Sequence, residues 1–405
     1  MTAVMQGVRI LEVAEHTFVP AASALMADWG AEVIKIEHVE RGDAMRSLAS
    51  SGTTTIPSDV HVLLEHSNRG KRSLALDLTS DEGLEILHKL AVTADIFLTN
   101  KLPGVRKKLR IDVEDIQAVN PKIIYVRGTG QGSNGPDADK GSYDALAFWA
   151  RSGIGMSLAR PEYGHVPGPP GPGFGDSIGA MTIAGGMMGA LYHREKSGEG
   201  AVVDVSLLST GLWALGQAVA LSLLTESPWT PPPSEALRPN PLVANYLTQD
   251  GRWLSLCCLQ AGKYWPGMCE AVGRPELATD PRFIDHAALM TNKEAAGRLL
   301  QEIFASRPLD DWREALADFT GQWTVVQNTI EAATDPQSAA NGYIQDCETS
   351  KGVPFQLPAA PVQFDGVAAS TRRAPDFNEH GDAILAELGL DWDMVVDLKV
   401  RGVVA

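Results

Sequence analysis

Over the first two hundred residues, short apolar runs alternate with longer amphipathic stretches. VRILEVA (8–14) and EVIKIE (32–37) read as strands, and PAASALMADWG (20–30) between them reads as a helix, with proline near its start and glycine at its end. RSLALDL (72–78) predicts the next strand, and a helix follows over about 80–94. DIFLTN (95–100) and KIIYVRG (122–128) are further strands. Strands alternating with helices predict an α/β fold with a doubly wound, mostly parallel sheet. ARPEYGHVPGPPGPGFG (159–175) is too rich in Pro and Gly for regular structure, and a long helix is expected from Ser177 to about Lys196. Residues 225–241, TESPWTPPPSEALRPNP, mark a domain boundary. Beyond it, YLTQDGRWLSLCCL predicts a hairpin centred on Asp250-Gly251, and helices run over about 264–319, broken at DPRF (280–283). VPFQLPAAPVQFDG (353–366) suggests strands, and the tail from His380 to Lys399 is helical.

Composition narrows the partners. The 405 residues are 44% hydrophobic and 21% charged, ample for a sizeable core, and the net charge is −16. Such an acidic chain argues against nucleic acid or an anionic membrane as partner. The opening MTAVMQGVRILEVAEH has no signal-peptide pattern. The uncharged run 205–225 is long enough to span a bilayer, but Ser206, Ser209, Thr210, Gln217 and Ser222 interrupt it, so a buried helix and a cytoplasmic location are expected. Four cysteines without a C-x-x-C pair and nine scattered histidines give no zinc spacing, so no metal is expected. GTGQGSNGP (128–136) contains G-x-G-x-x-G, but Pro136-Asp137 follows where a helix should open. No nicotinamide or flavin site is expected.

The chemistry concentrates in PGFGDSIGAMTIAGG (172–186). Gly175-Asp176-Ser177-Ile178-Gly179 fits the G-x-S-x-G of a serine hydrolase elbow, but that elbow needs a strand running into the serine, and the preceding prolines deny one. Asp176 can instead be an N-cap, its carboxylate accepting from the first-turn amides. A third reading adds to the cap: a carboxylate at a helix tip can attack an activated acyl group and form an anhydride. The residues leave these readings open.

Several segments in order resemble the class III CoA-transferase family, which includes formyl-CoA transferase and the related α-methylacyl-CoA racemases. They are GVRILEVAEHTFVPAASALMADWGAEVIKIE (7–37), NRGKRSLALDL (68–78), ADIFLTNKLPG (94–104) and GDSIGAMTIAGGMMGALYHREKSGEG (175–200), then DGRWLSL, DPRF and DPQ (335–337). The resemblance implies that Asp176 is the nucleophile, acylated by an acyl-CoA donor before CoA passes to a carboxylic acid, with CoA as substrate and no permanently bound cofactor. By position it places CoA contacts at Thr17 and Phe18, at Asn68, Arg69, Gly70 and Lys71, at Asn100, Lys101 and Leu102, and at Lys108, Lys140 and Tyr143; Arg41, a basic residue after the second strand, is a weaker candidate. Basic clusters there suit the phosphates of CoA. Racemases carry a histidine base where Tyr143 stands, and a phenol with pKa near ~10 is a poor base. The isomerase therefore stands as an alternative, with the serine hydrolase using Ser177 behind it. Thr17 replaces the glutamine of formyl-CoA transferase, and its glycine-rich loop is reduced to Leu259–Gly262. Phe148, Trp149 and Met156 suggest room for a larger apolar acyl group. The family also implies a large domain built from both chain ends (1–225 and 336–405), a smaller α+β domain (226–335), and an interlocked homodimer.

Overall fold

The computed structural model describes residues 3–51, 54–230 and 240–405. The chain divides into two compact units, Met1–Thr230 with Pro336–Ala405, and Pro231–Asp335.

The first unit is built on a six-stranded sheet whose strands all run parallel. Its strands are β1 (Arg9–Val13), β2 (Glu32–His38), β5 (Arg72–Leu76), β6 (Ile96–Thr99), β7 (Ile124–Thr129) and β8 (Val202–Ser206). A two-residue ladder of β3 (Ser50–Ser51) and β4 (Thr54–Thr55) stands apart from it. The order is β5-β2-β1-β6-β7-β8, so the winding reverses between β1 and β6. Alternate residues serve opposite faces. Ile10, Val33, Ile96, Leu98, Ile124 and Val126 pack under α1 (Phe18–Asp28), while Leu11, Ile34, Leu74, Phe97 and Tyr125 pack under α3 (Asp81–Val92). Between α1 and α3 lies α2 (Val62–Asn68), and after β6 come α4 (Pro103–Leu109) and α5 (Val113–Val119).

The irregular stretch before Phe174 holds only the short α6 (Ile154–Leu158) and a three-residue turn of helix. The 24-residue α7 (Phe174–Ser197) then lies beside α1 in the same core. The two approach closely because Gly179 has no side chain: a Cβ there would collide with the Phe18 ring. Phe148 and Trp149 are buried in that core, in a wide helical turn over Ala145–Arg151, and Met156 is exposed. The C-terminal segment returns to the other face, where Ile384, Leu385, Val395 and Leu398 join the α3 core. Asp77 N–H donates to Val403 O at 2.9 Å, tying the tail to the sheet edge. Of the strands suggested over 353–366, β13 (Pro354–Pro358) forms, pairing with β12 (Ile344–Glu348).

The run 205–225 is not a buried helix. It folds as α8 (Leu207–Ala214) and α9 (Gly216–Thr225), bent by 74°, and no residue of α9 is buried. Among the described residues no single helix is long and apolar enough to cross a membrane; this bent pair alone could by length and composition.

The second unit holds a three-stranded antiparallel sheet, order β11-β10-β9, of β9 (Val243–Leu247), β10 (Trp253–Cys257) and β11 (Trp323–Val325). Trp253 pairs with Leu247 across the expected turn. Helices α10 (Ala261–Ala271), α11 (His286–Thr291), α12 (Lys293–Phe304) and α13 (Leu309–Ala315) complete it around Trp265, Phe283, Phe304 and Trp312.

Candidate active site

In a parallel sheet, a crevice opens at the carboxyl ends of the strands where the winding reverses. Here a cavity of about 410 Å³ lies there. Its wall comes from Glu15–Phe18 after β1, Asn100–Pro103 after β6, Gly128–Gly130 at the end of β7 and Leu207 after β8. Arg41, Tyr143 and Asp176 close it. The first residues of α1 and α7 both line it, so two helix amino ends meet at one opening, an arrangement suited to negative charge.

Asp176 is not an N-cap. Gly173 takes that position, without a side-chain cap, and Asp176 sits in the first turn. The capping work falls to Asp144, whose Oδ2 accepts the Gly175 N–H at 3.0 Å from behind the helix. Gly175 is required for that approach, because a Cβ would run into Phe148 and Asp144. Burial, with the Asp144 carboxylate close by, pushes the Asp176 carboxyl up to about 7. Burial also raises Asp144 itself, against the pull of the Gly175 and Asp176 amides. Asp176 is therefore a half-buried carboxylate with raised proton affinity and a neighbour of like charge.

Ser177 has no elbow beneath it. The residues running into α7 are bends and turns, not a strand, and the Ser177 hydroxyl donates to Gly173 O at 2.9 Å as an ordinary helical serine does.

The turn after β1 is held from two sides. Asn100 accepts the Glu15 N–H at 3.2 Å and donates to Glu15 O at 2.7 Å. His16 stands in the left-handed region (φ 68°), and its N–H donates to Asp43 Oδ1 at 3.0 Å. Asp43 pairs with Lys35 at 2.8 Å, and Lys35 with Glu12 at 2.8 Å. Glu12 also meets Lys71 at 2.8 Å. All four side chains have no exposure to solvent. Burial alone would raise the Asp43 carboxyl, but Lys35 brings it down to about 2. Burial pushes Lys71 down to about 7 against the attraction of Glu12.

The structure thus brings Thr17, Phe18, Arg41, Asn100, Lys101, Leu102 and Tyr143 to one cavity with Asp176. It does not bring Asn68, Arg69, Gly70 and Lys71 there. Asn68, Arg69 and Lys71 are buried, with Arg69 paired to Asp28 at 2.8 Å and Lys71 bonded to Glu12 and to Asn68 Oδ1. Gly70 is tied by its N–H to Arg373 O. Lys140 is exposed and paired with Asp137 at 2.7 Å, away from the lining. Lys108 lines a second depression of about 260 Å³, which shares Glu15, Arg41, Lys101 and Val105 with the first and runs on to Leu76–Thr79. Residue type missed His16, Asp144 and Leu76–Thr79. Placement at or just beyond the carboxyl ends of β1 and β5 is the signal that picks out His16 and Leu76–Thr79.

A cavity at the switch point of a parallel sheet, with a half-buried carboxylate at a helix tip and basic groups at its rim, suits an enzyme of acyl or CoA transfer. The CoA-transferase family III profile matches residues 5–381, and the chain belongs to this family. It is similar to the (R)-2-hydroxy-4-methylpentanoate CoA-transferase of Clostridioides difficile, 30% identical over 99% of both chains. It is also similar to the cinnamoyl-CoA:phenyllactate CoA-transferase of Clostridium sporogenes, 29% identical over 98% of this chain and 96% of the other. A solved CaiB/BaiF family protein from Brucella suis superposes with a TM-score of 0.78, at 28% identity, covering 96% of this chain and 100% of that one. The chain is an enzyme of the class III CoA-transferases.

Proposed function

We propose that this enzyme moves CoA from an acyl-CoA donor to a carboxylic acid through covalent intermediates on Asp176. The observation that carries the reading is the position of that carboxylate, in the first turn of α7, on the cavity wall, with its proton affinity raised by burial and by Asp144. A carboxylate Oδ attacks the thioester carbonyl carbon, the C–S bond breaks, and CoA leaves as thiolate. The thiolate then attacks the Asp176 carbonyl carbon of the mixed anhydride, releasing the donor acid and leaving an aspartyl-CoA thioester. The acceptor carboxylate reverses these steps and departs as its own CoA thioester, with Asp176 free. No proton is gained or lost overall. Amides at the amino end of α1 would hold the developing oxyanions, those of Gly175 and Asp176 in α7 being taken by Asp144. Lys101, Arg41 and Lys108 would take the phosphates of CoA along the two adjoining depressions.

The test is mass spectrometry after incubation with an acyl-CoA and hydroxylamine. Hydroxylamine attack on the Asp176 carbonyl of either intermediate gives a hydroxamate on the Asp176 peptide. A peptide that stays unmodified while CoA binds would sink the mechanism. The acids named for the two relatives, 2-hydroxy-4-methylpentanoate and phenyllactate, make the first panel of acceptors. Exchange of an α-proton for solvent deuterium in a 2-methylacyl-CoA would instead point to the isomerase.

A homodimer is part of this proposal. Trp213, Leu223 and Leu224 are 85%, 76% and 82% exposed on α8 and α9, an apolar face that a second copy would cover. Light scattering at twice the 43.3 kDa chain mass is the expected result.

A further inference from the structure

We propose that His16 holds the carboxylate of the acid that accepts CoA, an inference that rests on the reaction proposed above. Three observations converge on this residue. First, its backbone is in the left-handed region at φ 68°, which costs a residue with a side chain roughly 1 kcal/mol or more. The turn is kept there by fixed partners on both sides: Asn100 grips Glu15, and Asp43, itself locked by buried Lys35, grips the His16 N–H. A strained turn so firmly held, on the wall of a reaction cavity, is where a working side chain is expected.

Second, the ring is free to bind. It faces Tyr143 edge-on at 5.8 Å within the cavity that also holds Asp176, and among the described residues neither ring nitrogen has a hydrogen-bond partner. Third, the other positive groups on this wall, Lys101 and Arg41, share one carboxylate and are assigned above to the phosphates of CoA. Lys101 pairs with Glu15 at 3.1 Å and Arg41 with the same carboxylate at 3.4 Å. The incoming acid must approach as an anion beside a wall that already carries Asp176 and Glu15. An imidazole offers an N–H to a carboxylate oxygen in either protonation state, so the ring can hold one oxygen while the other attacks. In that step the acceptor oxygen bonds to the Asp176 carbonyl carbon of the aspartyl-CoA thioester, the C–S bond breaks, and CoA leaves as thiolate. His16 gives a hydrogen bond and transfers no proton.

The test separates the half-reactions. In the reaction proposed above the donor's own acid leaves when the thiolate opens the anhydride, and by microscopic reversibility that acid can attack the aspartyl-CoA thioester; the probe is therefore a donor with its ¹³C-labelled acid as acceptor, and Asp176 labelling is read at the anhydride, before any acid leaves. His16→Asn keeps a residue tolerant of the left-handed region, and His16→Gly removes the strain altogether, so that folding is not at stake. The expected result for either variant is a KM for the labelled acid raised about tenfold or more, with the rate of Asp176 labelling within about twofold of the parent. An unchanged KM for the acid overturns the proposal. An equal loss in both half-reactions at an unchanged melting temperature also overturns it, since that would mean the turn shapes the cavity without binding the acid. If the parent enzyme never labels at Asp176, the covalent mechanism itself fails and takes this proposal with it.

Discussion

Replacing Asp176 by Asn should abolish CoA transfer and at the same time stabilise the protein, by an amount that depends on pH. The carboxyl rises from an ordinary 3.8 to about 7 in the folded chain, through burial and the Asp144 charge. Between those two values the unfolded chain ionises this group while the folded chain keeps its proton. Folding therefore loses about 1.4 kcal/mol for each pH unit climbed, and the loss levels off above about 7. Fully counted, the penalty at pH 8 is ~4 kcal/mol. The carboxylate lines an open cavity, and water there screens part of the charge, which leaves ~2 kcal/mol. Asn has nearly the same shape and no charge. The stability gap between Asp176→Asn and the parent should be near zero at pH 4, grow through pH 5 and 6, and be constant from pH 8 upward. For a unit of this size ~2 kcal/mol is roughly 2–4 °C in melting temperature. Differential scanning calorimetry of both proteins without substrate, at pH 4.5 and pH 8, measures the gap. A gap of the same size at both pH values would refute the reasoning, because it would mean Asp176 carries no raised proton affinity in the native protein.

The remaining expectations rest on neighbouring features. Gly175→Ala places a methyl group against Phe148 and Asp144; it should cost about 2–4 kcal/mol in urea unfolding and reduce Asp176 labelling at least tenfold. Glu12→Gln leaves Lys35 and Lys71 buried without their shared carboxylate; a loss of about 3–5 kcal/mol is expected by chemical denaturation. The rate of Asp176 acylation at saturating donor should rise with pH through about 7 and then level, since the nucleophile is the ionised form; stopped-flow quench with hydroxylamine across pH 5.5–9 reads this, and a profile falling with pH would contradict it.

The contrast between what the sequence disclosed and what it hid has a physical cause. The strands of the first unit are legible because burial on both faces demands continuous apolar runs, and β1, β2, β5, β6 and β7 lie where VRILEVA, EVIKIE, RSLALDL, DIFLTN and KIIYVRG place them. The apolar run over 205–225 misled for a related reason: hydropathy says that a surface avoids water, not what covers it, and no residue of α9 is fully buried in its own unit. Charge is harder still. Arg69 and Lys71 look like anion-binding groups because their partners are far along the chain, Asp28 and Glu12 lying 41 and 59 residues away. Only the folded sheet reveals that both are already neutralised. Topology is the better guide than residue type. The rule that ligands lie beyond the carboxyl ends of parallel strands selects Glu15–Phe18, Asn100–Pro103, Gly128–Gly130 and Leu76–Thr79 from the strand positions. By that rule Lys101 falls on the cavity wall and Lys71 does not. Both are lysines bonded to a glutamate, but one precedes its strand and is sealed beneath the sheet at no exposure, while the other follows its strand and keeps 18% of its side chain open.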